Sequence, residues 1–271
     1  MKRILVDSRD FGTRIGIVED GLLMELVYEP KNSMPIVGNI YAGKIMNVLP
    51  GMQAAFVDIG REKNAFLYYG NNKDDNGNVI KPKAGNDVIV QVEKAEIGSK
   101  GSVLTKKISF PGKFLVIIPN DNKIGISKKI TDSEERQRIK DIVRGLLPEG
   151  FGAIIRTDGE GKSYEVYKKE IDRLVSISEG VLKKAEYIKA PAMLYTDVNG
   201  AEKAVRDYFH EDIDEIVVNS SEDYNTLLEL CDEFNTSADK IKLHSDGTEL
   251  FGSYYVESQA KAAFNRQVWL K

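Results

Sequence analysis

Residues 51–70, GMQAAFVDIGREKNAFLYYG, read as two short strands joined by a tight polar turn. Within residues 54–59, strand alternation places Ala55, Val57 and Ile59 on one face and Ala54, Phe56 and Asp58 on the other. The first set is the core face. Phe56 then lies outside, beside a carboxylate, and Phe66 joins it from the paired strand beyond the turn. Two outward benzyl groups on neighbouring strands leave two readings: both pack beneath a loop, or they form a platform on which unpaired bases stack, worth roughly 1–3 kcal/mol per base.

Around this stretch, residues 36 to about 105 alternate short strands with glycine corners. Five strands in so short a span predict a small Greek-key barrel of the oligonucleotide-binding (OB) type. Upstream, KRILVD and TRIGIVEDGLLMELVYEP alternate about Asp20-Gly21, a hairpin signal. An isolated hairpin is marginal in water, so its expected partner is the later α/β region. Downstream, GKFLVIIPN is a buried strand, and TDSEERQRIKDIVRGLL is a helix with Thr131 and Glu134 in capping-box spacing and Ile139, Ile142, Val143 and Leu146 on one face. A strand entering a glycine-rich turn, FGAIIRTDGEG, precedes a long helix from residue 162 to 188. AMLYT, AEKAVRDYF, DEIVVNS, EDYNTLLELCDEF and KIKLHS then alternate strand and helix, the mark of an α/β layer. A last helix, ESQAKAAFNRQ, leads into VWLK, which reads as the start of a further strand and predicts a longer parent protein. The expected organisation is one split α/β layer, residues 1–34 and 202–271, with the barrel (35–106) and a mixed segment (107–201) inserted.

Net charge is −4, yet residues 98–129 carry seven lysines against Asp121 alone, +6 against −10 for the remainder. That asymmetry marks a basic face. It includes Lys106 and Lys107, and Lys100 between glycines, where an ammonium can meet a phosphate beside a stacked base. At Arg156-Thr157, a guanidinium, a hydroxyl and the N–H groups around Gly159 and Gly161 make either an anion cradle or an ordinary turn. Asp158 and Glu160 would repel a dianion if they pointed inward. His210 and His244 are the only histidines, are expected at the surface, and complete no hydrolytic triad or metal-ligand spacing. Asp7 and Asp207 or Asp212 either meet around a magnesium ion or serve as solvated and capping groups. Cys231, at helical spacing from Leu227 and Leu230, reads as a buried thiol, and a single cysteine allows no internal disulfide. The longest apolar runs, such as residues 114–118, are too short to span a membrane, and the N-terminus lacks a signal peptide, so a cytoplasmic location is expected.

The motifs at residues 37–70, GSKG (98–101), PEGFGAIIRTDGEG (148–161), VRDYF (205–209) and ESQAKAAFNRQVWLK (257–271) resemble the N-terminal halves of bacterial endoribonucleases of the E/G type. The resemblance implies a split ribonuclease-H-like layer, an inserted OB-fold barrel of the S1 type, and an α+β 5′-end sensor over residues 107–201. It implies cleavage of single-stranded RNA with a preference for a 5′-monophosphate. It assigns RNA binding to Phe56, Phe66 and Lys100, and 5′-phosphate binding to Arg156, Thr157 and, through the backbone, Val116. Asp158 departs from the small apolar residue usual after the Arg-Thr pair. In such enzymes the magnesium ligands lie in a following domain and the parent is an oligomer, so this chain is expected to hold no catalytic residue, metal or cofactor of its own. The alternatives are a non-catalytic adaptor whose barrel binds RNA or protein, and a self-sufficient nuclease using the carboxylates of the α/β layer.

Overall fold

The computed structural model describes residues 1–30, 36–70, 79–98, 100–198, 200–231 and 237–263. Strands β1 (Lys2–Arg9), β2 (Gly12–Glu19) and β3 (Leu22–Pro30) come first, then β4 (Ile40–Leu49), β5 (Ala54–Asp58), β6 (Ala65–Tyr68), β7 (Asp87–Lys94) and β8 (Val103–Thr105). The middle holds β9 (Phe110–Pro111), β10 (Leu115–Pro119), β11 (Ile124–Ile126), helix α1 (Ser133–Leu146), β12 (Phe151–Ile155), helix α2 (Tyr164–Tyr187) and β13 (Ala192–Tyr195). The last part holds α3 (Gly200–Tyr208), β14 (Glu215–Val218), α4 (Ser221–Leu230), β15 (Ile241–Leu243), α5 (Leu250–Ser253) and α6 (Glu257–Ala263). The expected VWLK strand lies outside the described residues. Two compact units result, Met1–Pro35 with Val198–Lys271, and Ile36–Asp197.

The first unit is a five-stranded sheet in the order β15-β14-β1-β2-β3. Strands β1 to β3 form an antiparallel meander, and β14 and β15 add in parallel to the free side of β1. The turn between β2 and β3 uses Asp20 and Gly21, both at positive φ, which suits the right-handed twist of the flanking strands. All four residues of β14 are buried, as a parallel strand covered on both faces requires. On one face Ile4, Val6 and Ile216 pack against Ala204, Val205 and Leu227. On the other, Leu5, Val18 and Val217 pack against Leu250, Phe251 and Ala260. Burial of both faces explains why the opening strands need residues two hundred positions away.

Asp7 departs from both of its expected roles. Its side chain is fully buried, opposite Arg14 in the β1–β2 register, and pairs with that guanidinium (Nε 2.9 Å) and with Arg9 (Nε 2.9 Å). Asn219 donates a further hydrogen bond at 2.8 Å, and Arg14 stacks on Phe251 with 4.3 Å to the ring centroid. Asp207 instead pairs with Arg206 at 2.9 Å and Asp212 with Lys2 at 2.6 Å. Among the described residues no group of three His, Cys, Asp or Glu side chains gathers as a metal site, so these aspartates do not fit a magnesium ion. For Asp7 the physical reason is charge: a buried carboxylate already held by two guanidinium groups has no spare field for another cation.

The second unit starts from a closed barrel, β4-β5-β6-β8-β7 and back to β4. Its pairs are antiparallel except β6 with β8, giving the order of an OB-fold-like barrel. Strand β4 pairs with β7 through residues 40–44 and with β5 through residues 44–49, and a register shift between Ile45 and Asn47 bends it between the two. Ala55, Val57 and Ile59 face the barrel core with Tyr41, Leu67 and Val90, as the alternation predicts. Ala54, expected outside with Phe56, is buried as well.

Beside the barrel lies the sheet β11-β12-β10-β9, covered by α1 and α2. The expected cap of α1 is displaced by one residue: Asp132 accepts the Glu134 N–H at 3.0 Å, and a carboxylate beside the helix N-terminus also meets its dipole. Ile139 and Val143 are buried against Phe110, Ile117 and Tyr167. The same core takes in Ile40 and Ala42 of the barrel and Leu194 of β13. AMLYT, read as part of the α/β alternation, is therefore β13, an antiparallel partner of β4 with Ala192 opposite Ala42. The expected boundary at 106/107 falls inside this second unit. Among the described residues no helix is long and apolar enough to cross a membrane.

Replacing Asp7 by Ala leaves Arg14 buried without its main counter-charge, and stability is expected to fall by about 3–5 kcal/mol. Urea unfolding of the purified protein checks this; a loss below about 1 kcal/mol would mean that Glu257, 3.1 Å from Arg14, suffices alone.

Candidate nucleic-acid interface

Phe56 and Phe66 are direct partners in the β5–β6 register. Their centroids are 6.2 Å apart at 74°, edge to face, and both side chains are partly exposed. In this contact the edge of one ring meets a face of the other, which fixes the pair while both side chains keep part of their surface open. The chain entering β8 runs alongside: Phe66 donates its N–H to the Ser102 carbonyl at 2.7 Å. Gly101 lies so close to the Asn64 carbonyl that a Cβ there would sit 2.2 Å from the oxygen. That close approach is what the glycine of GSKG provides.

Lys100 is exposed two residues before Ser102. Lys63, from the turn between β5 and β6, donates to the Gly98 carbonyl at 2.8 Å, and Arg61 lies 3.6 Å from Glu96. Arg61 and Lys63 thus join Lys100 at the turn end of the ring pair. They were readable as basic residues of the GREKN turn, but the fold was needed to set them beside Phe66. Lys106 and Lys107 do not join this group. Because β8 runs parallel to β6, residues after Thr105 leave at the opposite end: Lys106 lines a cleft with Leu67 and Tyr69, and Lys107 lies 3.8 Å from Asp121. The lysine run is two patches.

A second feature lies at the end of β12. Arg156 donates its backbone N–H to the Phe114 carbonyl and its Nη1 to the Gly112 carbonyl, each at 2.8 Å. Thr157 is exposed, with its hydroxyl 3.1 Å from that of Ser127, and Val116 sits on β10 opposite Ile154. Lys113 and Lys162 lie 5.6 and 5.5 Å from the Phe114 ring centroid. Of the two readings of the glycine turn, its hydrogen bonds favour the ordinary turn. Residues 157–159 close a 3₁₀ turn in which Gly159 donates to the Arg156 carbonyl, and Gly161 donates to Glu135 Oε1 at 2.8 Å. Glu135 is gripped by Arg138 at 2.6 and 2.7 Å, which with the Gly161 N–H outweighs burial and holds its carboxyl down at about 2. The turn's amides are therefore structural.

The residue behind Arg156 is Glu170, which sequence reading missed. It is buried on α2 and accepts the N–H groups of Lys113, Phe114 and Leu115 at 2.6, 3.0 and 3.0 Å. These residues adjoin the two carbonyls that hold Arg156. Burial pushes the Glu170 carboxyl up to about 6 against the pull of those donors. Elsewhere, His210 is exposed as expected. His244 is half-buried against Thr248 and Asp246, and the Cys231 thiol is buried and donates to the Leu227 carbonyl.

An OB-fold-like barrel with paired aromatics beside cations, joined to α/β and α+β layers, defines a modular class in which barrels of this kind grip single strands. Residues 109–271 match the sequence profile of the Ribonuclease E/G family. Over 96% of its length the chain is 35% identical to ribonuclease G of Haemophilus influenzae, and over its full length 35% identical to ribonuclease E of Escherichia coli. It is 32% identical over 99% of its length to ribonuclease G of Salmonella typhimurium. The chain belongs to the ribonuclease E/G family. It spans 56, 27 and 58% of those three relatives respectively.

Replacing Glu170 by Ala leaves three buried N–H groups unpaired, and a loss of about 3 kcal/mol or more is expected. The pH dependence has a defined sign. Between the ordinary value of 4.5 and about 6, folded Glu170 keeps a proton that the unfolded chain has released. Its contribution is therefore fully present below about pH 4.5 and is lost as pH rises through 6, on the order of 2 kcal/mol. Unfolding free energies measured from pH 4 to 7.5, wild type minus Glu170→Gln, should decline across that interval; a flat difference would remove Glu170 as the titrating group.

Proposed function

We propose that this chain is the RNA-gripping and 5′-end-sensing region of a single-strand-specific, magnesium-dependent endoribonuclease acting in RNA processing and decay in the cytoplasm. The observation that carries this reading is the Phe56–Phe66 pair, partly open on the outer barrel wall beside Lys100. Partly exposed rings can accept bases of any sequence, and nearby ammonium groups neutralise the phosphates between them. Family membership supports RNA as the polymer.

In this reading Arg156 and Thr157 receive a 5′-monophosphate, with Val116 alongside, and Lys113 and Lys162 add positive field. Asp158 lowers that field and weakens the preference. The order β3-β2-β1-β14-β15, antiparallel then parallel, supports a ribonuclease-H-like layer split by the insertion. That layer has a structural role, since its buried Asp7 is consumed by Arg9 and Arg14. Magnesium and the cleavage step are assigned to another part of an oligomeric parent.

Anisotropy titration with a 5′-monophosphorylated oligouridylate tests the platform. Phe56→Ala is expected to weaken binding by roughly 1–3 kcal/mol, and the log–log salt slope to be about −0.7 per phosphate contacted. Unchanged affinity in the double Phe56→Ala, Phe66→Ala variant would overturn the reading. Arg156→Ala should erase any preference for 5′-monophosphate over 5′-hydroxyl RNA; a retained preference would locate the sensor elsewhere.

A further inference from the structure

The cleft that takes Lys106 is at the end of the barrel away from the Lys100 group. It is a cavity of about 260 Å³. Ile45, Leu67, Ile80 and Val88 form apolar walls, and Lys81, Lys83 and Lys106 stand around it. Its rim is built: Gly85 donates to the Ile45 carbonyl at 2.7 Å and Ile45 to the Asn86 carbonyl at 2.9 Å, tying the lysine loop to β4. All three lysines are exposed, and among the described residues none has an ion-pair partner.

Tyr69 lines the same cavity. It is 2% exposed, and its buried hydroxyl has no hydrogen-bond partner. A buried hydroxyl without a partner is costly and rare in folded proteins, and a ligand whose seating shifts the Tyr69 ring in the cavity wall would complete it. Asp87, also at the rim, lies 3.3 Å from Lys44 and keeps that side unfavourable to an anion. The site thus joins an apolar slot, the Tyr69 ring in its wall and a cationic fringe. The volume is near the lower end for small-molecule pockets and suits one flat ring system.

We propose that this barrel mouth binds one nucleotide, with the base against the apolar walls and Tyr69 and the phosphate on Lys81, Lys83 and Lys106. Tyr69 is three residues along from Phe66, about 10 Å by strand geometry. The nucleotide is either a free nucleoside 5′-monophosphate or one unit of a single strand that also crosses the ring pair; only the second source rests on the function proposed above.

Calorimetric titration in EDTA with uridine and adenosine 5′-monophosphate, and with a ten-nucleotide oligouridylate, tests this. Four proteins are compared: wild type, Tyr69→Phe, the triple Lys81→Ser, Lys83→Ser, Lys106→Ser variant, and the double Phe56→Ala, Phe66→Ala variant. Mononucleotide should bind wild type, weaken roughly fivefold in Tyr69→Phe, weaken about tenfold or more in the triple variant, and be unchanged in the ring variant. Tyr69→Phe removes an unpaired hydroxyl, so its melting temperature should equal or exceed that of wild type, which separates lost binding from lost folding. If the oligouridylate salt slope drops by about 2 in the triple variant, the source is the strand; an unchanged slope with mononucleotide binding intact identifies the free nucleotide. No mononucleotide binding to wild type, or equal binding in both cavity variants, would overturn the site. The two readings fail separately: loss of oligouridylate affinity in the ring variant alone leaves the platform standing, whereas loss in the cavity variants alone, with mononucleotide bound by wild type, removes the platform and keeps the cavity.

Discussion

Strand β4 has three partners and two cores, and the second unit depends on it. It hydrogen-bonds to β5, β7 and β13, and its bend lets one strand both open and close the barrel. At Gly43 a Cβ would lie 2.5 Å from Val57 Cγ1, so the strand passes its neighbour at a distance only glycine permits. Alternation then sends Tyr41 and Ile45 into the barrel and Ile40 and Ala42 into the core shared with Phe110 and Tyr167. Barrel and α+β layer are fixed together by the two faces of one strand. The ring pair, the barrel mouth and Arg156 therefore belong to a single framework.

Within that framework two carboxylates substitute for solvent. Glu170 gathers three N–H groups of the 113–115 turn, and Glu135 takes the Gly161 N–H while held by Arg138. Both satisfy backbone donors that secondary structure leaves over. Their titration differs because their surroundings do. Glu135 lies against a guanidinium and stays ionised far into acid, whereas Glu170 is deep in the layer, where desolvation outweighs three donors. The consequence for chemistry is that the turn's acids and amides are largely engaged with one another. Arg156, held at the Gly112 and Phe114 carbonyls, sits beside that engaged turn.

The local patterns were legible in the sequence. Alternation in residues 54–59 pointed to the barrel's inner face, the Asp20-Gly21 turn to the opening hairpin, and the 3.6-residue period to α1. What escaped reading depended on partners far along the chain. The pairing of β13 with β4 spans about 150 residues and carries no local signature beyond small residues at Ala42 and Ala192. Glu170 looks like any charged position on a long helix until the 113–115 turn is laid against it. Asp7 reads as a strand-end carboxylate, yet the β1–β2 register places Arg14 opposite and the parallel partner brings Asn219. The lysine run from 98 to 129 was countable, but the direction of β8 decides which end of the barrel each lysine reaches.

That direction bears on how a chain of net charge −4 could hold the anion-binding sites proposed above. Screening in physiological salt limits an exposed charge to about 8 Å, so a ligand reads the local set and not the sum. Several acids are locally paired, which leaves the sum unchanged but quenches their own field: Asp7 by Arg9 and Arg14, Glu215 by Arg3 and Lys242, Glu29 by Lys203. Such pairs present almost no net field beyond their own neighbourhood. Around the barrel the balance runs the other way, with Lys100 beside the rings and Lys81, Lys83 and Lys106 at the mouth. An overall acidic protein repels nucleic acid from most of its surface and keeps attraction where aromatic or apolar surface can turn a charge contact into a seated base.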